Sequence, residues 1–434
     1  MNRALVVGLG VTGQAVARQL AKRGTEVVVL DDRPTDESRR VAATLGVEYV
    51  SGVDVKALVA AADLVSPSPG VAVDHPVIEA AVHAGVPVWS EFELAARWDD
   101  RPMLGVTGTN GKTTVTWLVE RMLQHAGVNA IAAGNTEVPL VDALDDPAVA
   151  VFVVEASSFR LQFIDRFRAA VAVWLNLTPD HLDWHPTVEH YADAKFRLWE
   201  TQRADDLAIG NVEDAVVMTY LARAQARRCT FGIATGDWRV DDGALVGPAG
   251  IGSFVAVDEL PRALPHDLAN ALAATATAIG GGASVESCAE VLRAFEGFPH
   301  RVQLVRDAGG VRWFDDSKAT TPMSVVAAVS GFASVVLIAG GRNKGLDLGV
   351  LRSVAGRVRH VVAIGEAAPL VAAAFDGVAP VVEAATMDDA VRAAAAAAHP
   401  GDAVLLSPGC ASYDWYRNYG ERGDDFARAV GELP

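Results

Sequence analysis

The segment Gly108-Thr109-Asn110-Gly111-Lys112-Thr113-Thr114 lies between an apolar run, Met103–Val106, and a stretch of helical character, Val115–Ala126. A glycine-rich turn between strand and helix lets backbone N–H groups wrap phosphate oxygens, and the helix N-terminus adds the positive end of its dipole. Lys112 is then placed to reach the β- and γ-phosphates of a nucleotide, and the Thr113 hydroxyl to sit on Mg²⁺. The first glycine lies three residues before Gly111, where the usual nucleotide loop has five. The alternative is an ordinary turn with a solvated lysine, and the flanking strand and helix make it the poorer reading.

The same strand–turn–helix grammar runs through the chain. Ala4–Val7 reads as a buried strand, Gln14–Arg23 as a helix and Glu26–Leu30 as a second strand, with further strands at Leu64–Val65 and Val86–Trp89. Polar residues around Ala95–Pro102 suggest a linker. A second α/β unit begins at Met103–Val106, includes Ala150–Val154 and Val171–Leu175, and ends near Gly297. After a Phe298-Pro299-His300-Arg301 joint, strands at Val311–Phe314, Val335–Ala339, His360–Ile364 and Ala403–Leu406 define a third. At 434 residues the chain is too long for one core. Three α/β domains with parallel sheets are therefore expected, at 1–97, 98–297 and 298–434.

Charge narrows the partners. A net charge of −17 argues against nucleic acid, which needs a basic face, so any anionic substrate must be held by local clusters of Lys and Arg. Cys229, Cys288 and Cys410 lack metal or disulfide spacing, which suggests a reducing compartment. There is no signal-peptide pattern and no apolar run of about 20 residues; the Ala394–Ala398 stretch is a helix interior by composition. A soluble, cytoplasmic protein without membrane association is the expectation.

Other motifs stand just past strand ends, where open parallel sheets bind ligands. Gly8-Leu9-Gly10-Val11-Thr12-Gly13 has the spacing of a dinucleotide turn, with Asp31 and Asp32 following, yet the same turn holds any pyrophosphate. Glu155 closes an apolar strand ahead of Ala156-Ser157-Ser158-Phe159, as a Mg²⁺ ligand or a partly exposed strand-end carboxylate. In the run Asn176–Asp183, His181 is a metal ligand, a proton relay or a hydrogen-bonded surface group. Lys195, judged alone, is a solvated helix-face residue. Three loops of the last third, Asp315–Thr320, Gly340–Lys344 and Ser407–Ser412, are suited to carboxylates or phosphate.

Taken in order, these segments resemble the Mur ligase family over nearly the whole chain, including its branch that adds glutamate. The short phosphate loop is the variant this family shares with folylpolyglutamate synthetases. The resemblance implies a Rossmann-like UDP-binding domain, a P-loop ATPase-like domain and a Rossmann-like C-terminal domain. It implies that Gly10, Val11, Thr12, Gly13, Asp31, Asp32, Asn135 and His181 serve a UDP-linked acceptor, UDP-N-acetylmuramoyl-L-alanine. Gly108, Thr109, Asn110, Gly111, Lys112, Thr113 and Thr114 would bind ATP, with Asn270, Arg301 and Asp316. Thr113, Glu155, His181 and a carbamylated Lys195 would hold one or two Mg²⁺ ions. Lys112, Glu155, His181, Lys195 and Lys318 would be catalytic, and Thr320, Lys344, Ser412, Tyr413 and Tyr419 would bind glutamate. A monomer acting in peptidoglycan synthesis, cell-wall biogenesis, cell shape and cell division is implied.

Departures from the family pattern occur at Glu137, Arg160 (where the family has Gln), Asp267 (Asn), Thr321 (Asn) and Tyr419 (Phe). A related branch that adds L-glutamate is the other possibility for the incoming amino acid. The implied reaction activates a carboxylate as an acyl phosphate for capture by the glutamate amine, with the Phe298–Arg301 joint as a hinge. The rivals are a folylpolyglutamate synthetase, which has no need of Gly8–Gly13; a nicotinamide oxidoreductase, which leaves the Lys112 loop unexplained; and a catalytically silent UDP-sugar-binding protein.

Overall fold

The computed structural model describes residues 1–182 and 184–434. Its first sheet contains β1 (Arg3–Val7), β2 (Glu26–Leu30), β3 (Glu48–Val50) and β4 (Leu64–Pro67), all parallel, in the order β3-β2-β1-β4. The helix Val11–Lys22 begins within the Gly8–Gly13 segment, earlier than composition suggests. Gly13 makes this tight start possible, because a Cβ there would lie 2.0 Å from the Gly8 carbonyl oxygen.

Two expectations need correction. Val86–Trp89 is not a strand: Val88 makes a single bridge to Val65. Pro87 has no N–H to extend a ladder, although its carbonyl accepts from Val65 N at 2.9 Å. The supposed linker is also shorter, because the helix Glu91–Trp98 buries Phe92, Leu94 and Ala95. Its polar residues Glu91 and Glu93 are themselves buried and ion-paired with Arg160 and Arg97, so polarity there does not signal exposure. The connection that follows is tied down by Arg101, which donates to the carbonyls of Leu144, Asp146 and Val149 at 2.7–2.9 Å.

The second sheet is wholly parallel: β5 (Met103–Thr107), β6 (Ala130–Gly134), β7 (Val151–Glu155), β8 (Val171–Trp174), β9 (Leu207–Asn211) and β10 (Arg227–Phe231), in the order β10-β9-β8-β5-β7-β6. One apolar core runs from Ala4 and Val6 of the first sheet to Phe152 and Val154 of the second. Arg18–Asp142 and Lys22–Asp145 ion pairs border this contact at 2.5 and 2.8 Å. A small antiparallel sheet of β11 (Arg239–Asp241), β12 (Ala244–Val246) and β13 (Ser253–Ala256) follows, which the sequence reading did not anticipate.

The last sheet, in the order β14-β15-β19-β16-β17-β18, comprises β14 (Gln303–Ala308), β15 (Val311–Asp315), β16 (Val335–Gly340), β17 (Val358–Ile364), β18 (Val381–Ala384) and β19 (Ala403–Gly409). Only the β14–β15 pair is antiparallel. By packing, the chain forms two compact units, Met1–Ala263 with Asp267–Phe295, and Leu264–His266 with Glu296–Pro434. The Ala-rich stretch belongs to the helix Met387–Ala397. Among the described residues no helix is long and apolar enough to cross a membrane.

Candidate functional site

In the first unit, the phosphate loop joins β5 to the helix Lys112–His125. Gly111 caps that helix in the left-handed region at φ 86°, and a Cβ there would sit 2.5 Å from Asn270 Oδ1. Asn176, just past β8, holds the loop from outside: its Oδ1 accepts from Thr109 N (3.1 Å) and Asn110 N (2.9 Å), and its Nδ2 donates to Asn110 O (3.1 Å). Thr109 Oγ1 accepts from Thr178 N at 3.0 Å and lies 3.2 Å from the Tyr191 hydroxyl. The loop is thus held in shape by side chains, and its surroundings crowd Gly108 and Gly111 too closely for a Cβ.

Two lysines converge on one carbonyl of this loop. Lys112 Nζ donates to Gly108 O (2.8 Å) and Thr109 O (2.9 Å), and Lys195 Nζ donates to Gly108 O (2.8 Å). Lys195 lies on the helix Val188–Glu200 and is 1% exposed, so its reading as a solvated helix-face residue is corrected. Its aliphatic neighbours and the Tyr191 ring, 4.4 Å from Nζ, bury that helix face. Burial, and then the charge of Lys112, hold the Lys195 amine well below the ordinary lysine range.

Glu155, at the end of β7, is 2% exposed, which excludes the partly exposed alternative. Its Oε1 accepts from Asn135 Nδ2 at 2.8 Å, while Oε2 is buried with no hydrogen-bond partner among the described residues. Asn135 Oδ1 accepts in turn from Arg160 Nη1 at 2.8 Å. His181 is exposed, with φ 54°, and meets Phe159 edge-on at 4.8 Å. Asp183, the end of its motif, lies outside the described residues. His185 is buried between Ser158 Oγ and His190 Nδ1, each at 2.9 Å, and burial pulls its pKa down to about 3.

At the glycine turn of the first sheet, Thr12 and Gly13 are buried while Gly10 and Val11 face solvent. Asp31 accepts from Arg33 N at 3.0 Å, and Asp32 Oδ2 lies 2.8 Å from His75 Nε2. Beside the phosphate loop, Thr114, Leu118, Arg262, Asp267, Ala271 and Phe295 line a hollow, with Arg262 and Asp267 ion-paired at 3.1 Å.

The second unit gathers the remaining candidates. Lys318 Nζ donates to the Tyr419 hydroxyl at 2.8 Å and lies 4.0 Å from its ring. Asp316 is buried, accepting from Ser407 Oγ (2.7 Å) and Val302 N (3.3 Å), and burial pushes its pKa up to about 7. Ser412 is buried, Thr320 and Arg301 are half-buried, and Lys344 is exposed with Nζ 5.6 Å from the Tyr413 ring.

The sequence reading missed several residues that hold these groups. Asn176 reads from sequence only as the start of the Asn176–Asp183 run. Asp315 pairs with His300 Nδ1 at 2.6 Å, and Arg422, fully buried, donates to Ser317 Oγ and Ser317 O at 2.9 Å each. Arg422 had no local signal, because it lies in the helix Tyr419–Gly431, about a hundred residues from its partners.

Three family models match in order: the MurD-like N-terminal domain at residues 2–90, the Mur ligase middle domain at 106–278, and the Mur ligase glutamate ligase domain at 300–410. The UDP-N-acetylmuramoylalanine–D-glutamate ligase of Frankia casuarinae is 45% identical, over 98% of this chain and 93% of that protein. That of Methylococcus capsulatus is 40% identical, over 100% and 95%. Among solved structures, MurF from Acinetobacter baumannii matches with a TM-score of 0.63 at 18% identity, covering 99% of this chain and 90% of that one. The UDP-N-acetylmuramate–alanine ligase of Thermotoga maritima matches at 0.57 and 19%, covering 99% of both. Fold, site and relatives define an ATP-dependent, amide-bond-forming ligase built from three α/β domains. The chain belongs to the Mur ligase family.

Proposed function

We propose that this chain joins D-glutamate to the alanyl carboxylate of UDP-N-acetylmuramoyl-L-alanine, converting ATP to ADP and phosphate, as a cytoplasmic monomer in peptidoglycan synthesis. The observation that carries this reading is the convergence of Lys112 and Lys195 on the phosphate-loop carbonyl Gly108 O, together with the half-satisfied carboxylate of Glu155 on the neighbouring strand. The D isomer is favoured by the names of the relatives at 38–45% identity, which are D-glutamate ligases.

A carboxylate resists amines because its leaving group would be oxide. Transfer of the γ-phosphoryl group forms a bond from one carboxylate oxygen to phosphorus as ADP leaves. The neutral glutamate amine then adds to the carbonyl carbon, loses a proton, and expels phosphate carrying that oxygen. Lys112 and the loop N–H groups counter the charge that develops on the phosphates. The turn Gly10–Gly13, with Asp31, Asp32 and Asn135, holds the UDP-linked acceptor. In the second unit, Lys318, Thr320, Lys344, Ser412, Tyr413 and Tyr419 supply cations and hydroxyls for the glutamate carboxylates.

The donor set fits Mg²⁺, since Oε2 of Glu155 is a buried carboxyl oxygen with no hydrogen-bond partner among the described residues. No group of three or more His, Cys, Asp or Glu side chains suited to a metal occurs among the described residues. Thr113, Glu155, His181 and Lys195 would hold the ion together with phosphate oxygens. When bound it offsets phosphate charge. Lys195 takes part as a carbamate: its neutral amine adds to CO₂ and releases a proton, turning a buried amine into a carboxylate. The depressed basicity of Lys195 supports this, because only the neutral amine reacts.

The test is isotopic. Acceptor labelled with ¹⁸O in its alanyl carboxylate should deliver one labelled oxygen to inorganic phosphate per amide formed. Unlabelled phosphate would exclude the acyl-phosphate route.

A further inference from the structure

Arg160 ends the Glu155–Arg160 segment, and its surroundings give it a role. The side chain is 6% exposed and its guanidinium reaches three separate elements. Nε pairs with Glu91 Oε1 at 2.6 Å, on the helix Glu91–Trp98. Nη1 donates to Asn135 Oδ1 at 2.8 Å and to Ser157 Oγ at 3.4 Å. Nη2 donates to Thr12 Oγ1 at 2.9 Å, in the glycine turn of the first sheet. Through Asn135 the chain of bonds continues to Glu155 Oε1 at 2.8 Å.

A buried guanidinium is tolerated only with a counter-ion, and Glu91, 1% exposed, supplies the charge beside Nε, while Nη1 and Nη2 carry the hydrogen bonds. The rigid fork fixes the directions of its N–H groups, which a lysine ammonium cannot do. Of the groups tied together, Thr12 belongs to the acceptor turn and Asn135–Glu155 to the edge that faces the phosphate loop.

We propose that Arg160 is a positioning residue that fixes the acceptor turn, through Thr12, relative to the Asn135–Glu155 pair, and so sets how productively the UDP-linked acceptor is presented for phosphorylation. This rests on the acceptor reading of the Gly8–Gly13 turn. The polar partners of Arg160 among the described residues are Asn135, Ser157, Thr12 and Glu91, none of them in the Gly108–Thr114 loop, so its loss falls on acceptor use.

The test compares wild type, Arg160→Lys, Arg160→Gln and the double variant Arg160→Gln/Glu91→Gln by steady-state kinetics, thermal melting and titration with a non-hydrolysable ATP analogue. Arg160→Gln should raise the acceptor KM and lower kcat, together by about tenfold or more in kcat/KM, with analogue affinity within about twofold of wild type. Arg160→Lys should fall between the two. The double variant removes the uncompensated Glu91 charge, so it should regain thermal stability without regaining acceptor kcat/KM. A stable double variant with wild-type acceptor kinetics would overturn the proposal, leaving Arg160 a structural ion pair. Wild-type protein with no acceptor-dependent ADP release would instead overturn the acceptor reading, and the proposal with it.

Discussion

Lys195 shows how much a single buried residue can carry. A protonated amine 1% exposed, sharing a carbonyl with Lys112, is electrostatically costly, and carbamylation would replace the repulsion with attraction. Lys195→Ala should therefore lose nearly all turnover and regain part of it with short carboxylic acids; in ¹³C-bicarbonate the wild type should show a carbamate resonance that the variant lacks. Rescue failing together with an absent resonance would leave Lys195 a plain hydrogen-bond donor. Asp316 gives a pH signature of opposite character. Its folded pKa of about 7 lies above the ordinary 3.8, so the folded state retains a proton that the unfolded chain releases as pH rises. Stability from this group is full below pH 3.8 and is lost as pH climbs through about 7. Asp316→Asn should thus gain in melting temperature relative to wild type between about pH 4 and pH 7, by the equivalent of a few kcal/mol, then level off. A pH-independent difference would contradict the buried-carboxyl picture. Both residues were assigned a role from sequence only through the family resemblance: a helical lysine and an Asp-Ser-Lys run do not reveal burial, which arises from residues distant in the chain.

Among the elements, the strand–turn–helix junctions were the most legible, because glycine spacing and apolar runs are local signals. Gly13 is the sharpest case. Its absent Cβ avoids a 2.0 Å clash with the Gly8 carbonyl, so Gly13→Ala should cost about 1–3 kcal/mol in stability and abolish UDP-acceptor binding by calorimetry, while ATP-analogue binding persists. Wild-type acceptor affinity would remove this turn from the site. Less legible were elements whose cues conflict. Val86–Trp89 has the composition of a strand, yet Pro87 stops its ladder at one bridge. Ala95–Pro102 has the composition of a linker, yet its first residues finish the helix Glu91–Trp98, which buries Glu93 against Arg97 one turn on and Glu91 against the distant Arg160.

For the whole molecule, alternation of strands and helices gave the α/β class and the placement of loops at strand ends. It could not show that the first two sheets share one apolar core, since that depends on which faces of Ala4, Val6, Phe152 and Val154 meet. A chain truncated to residues 99–434 would expose this face and lose Phe92 and Leu94 from it. It should therefore lose the cooperative melting of its first compact unit, and a sharp, native-like transition would show that the middle domain is autonomous. The most direct measurement of function is the mass of the product formed from ATP, Mg²⁺ and UDP-N-acetylmuramoyl-L-alanine, with D- and L-glutamate offered separately to wild type and to Lys112→Ala. The expected result is one glutamyl residue added from D-glutamate, with one ADP per amide, and almost none with Lys112→Ala. ADP release without a heavier product, product from L-glutamate alone, or full activity of Lys112→Ala would contradict it.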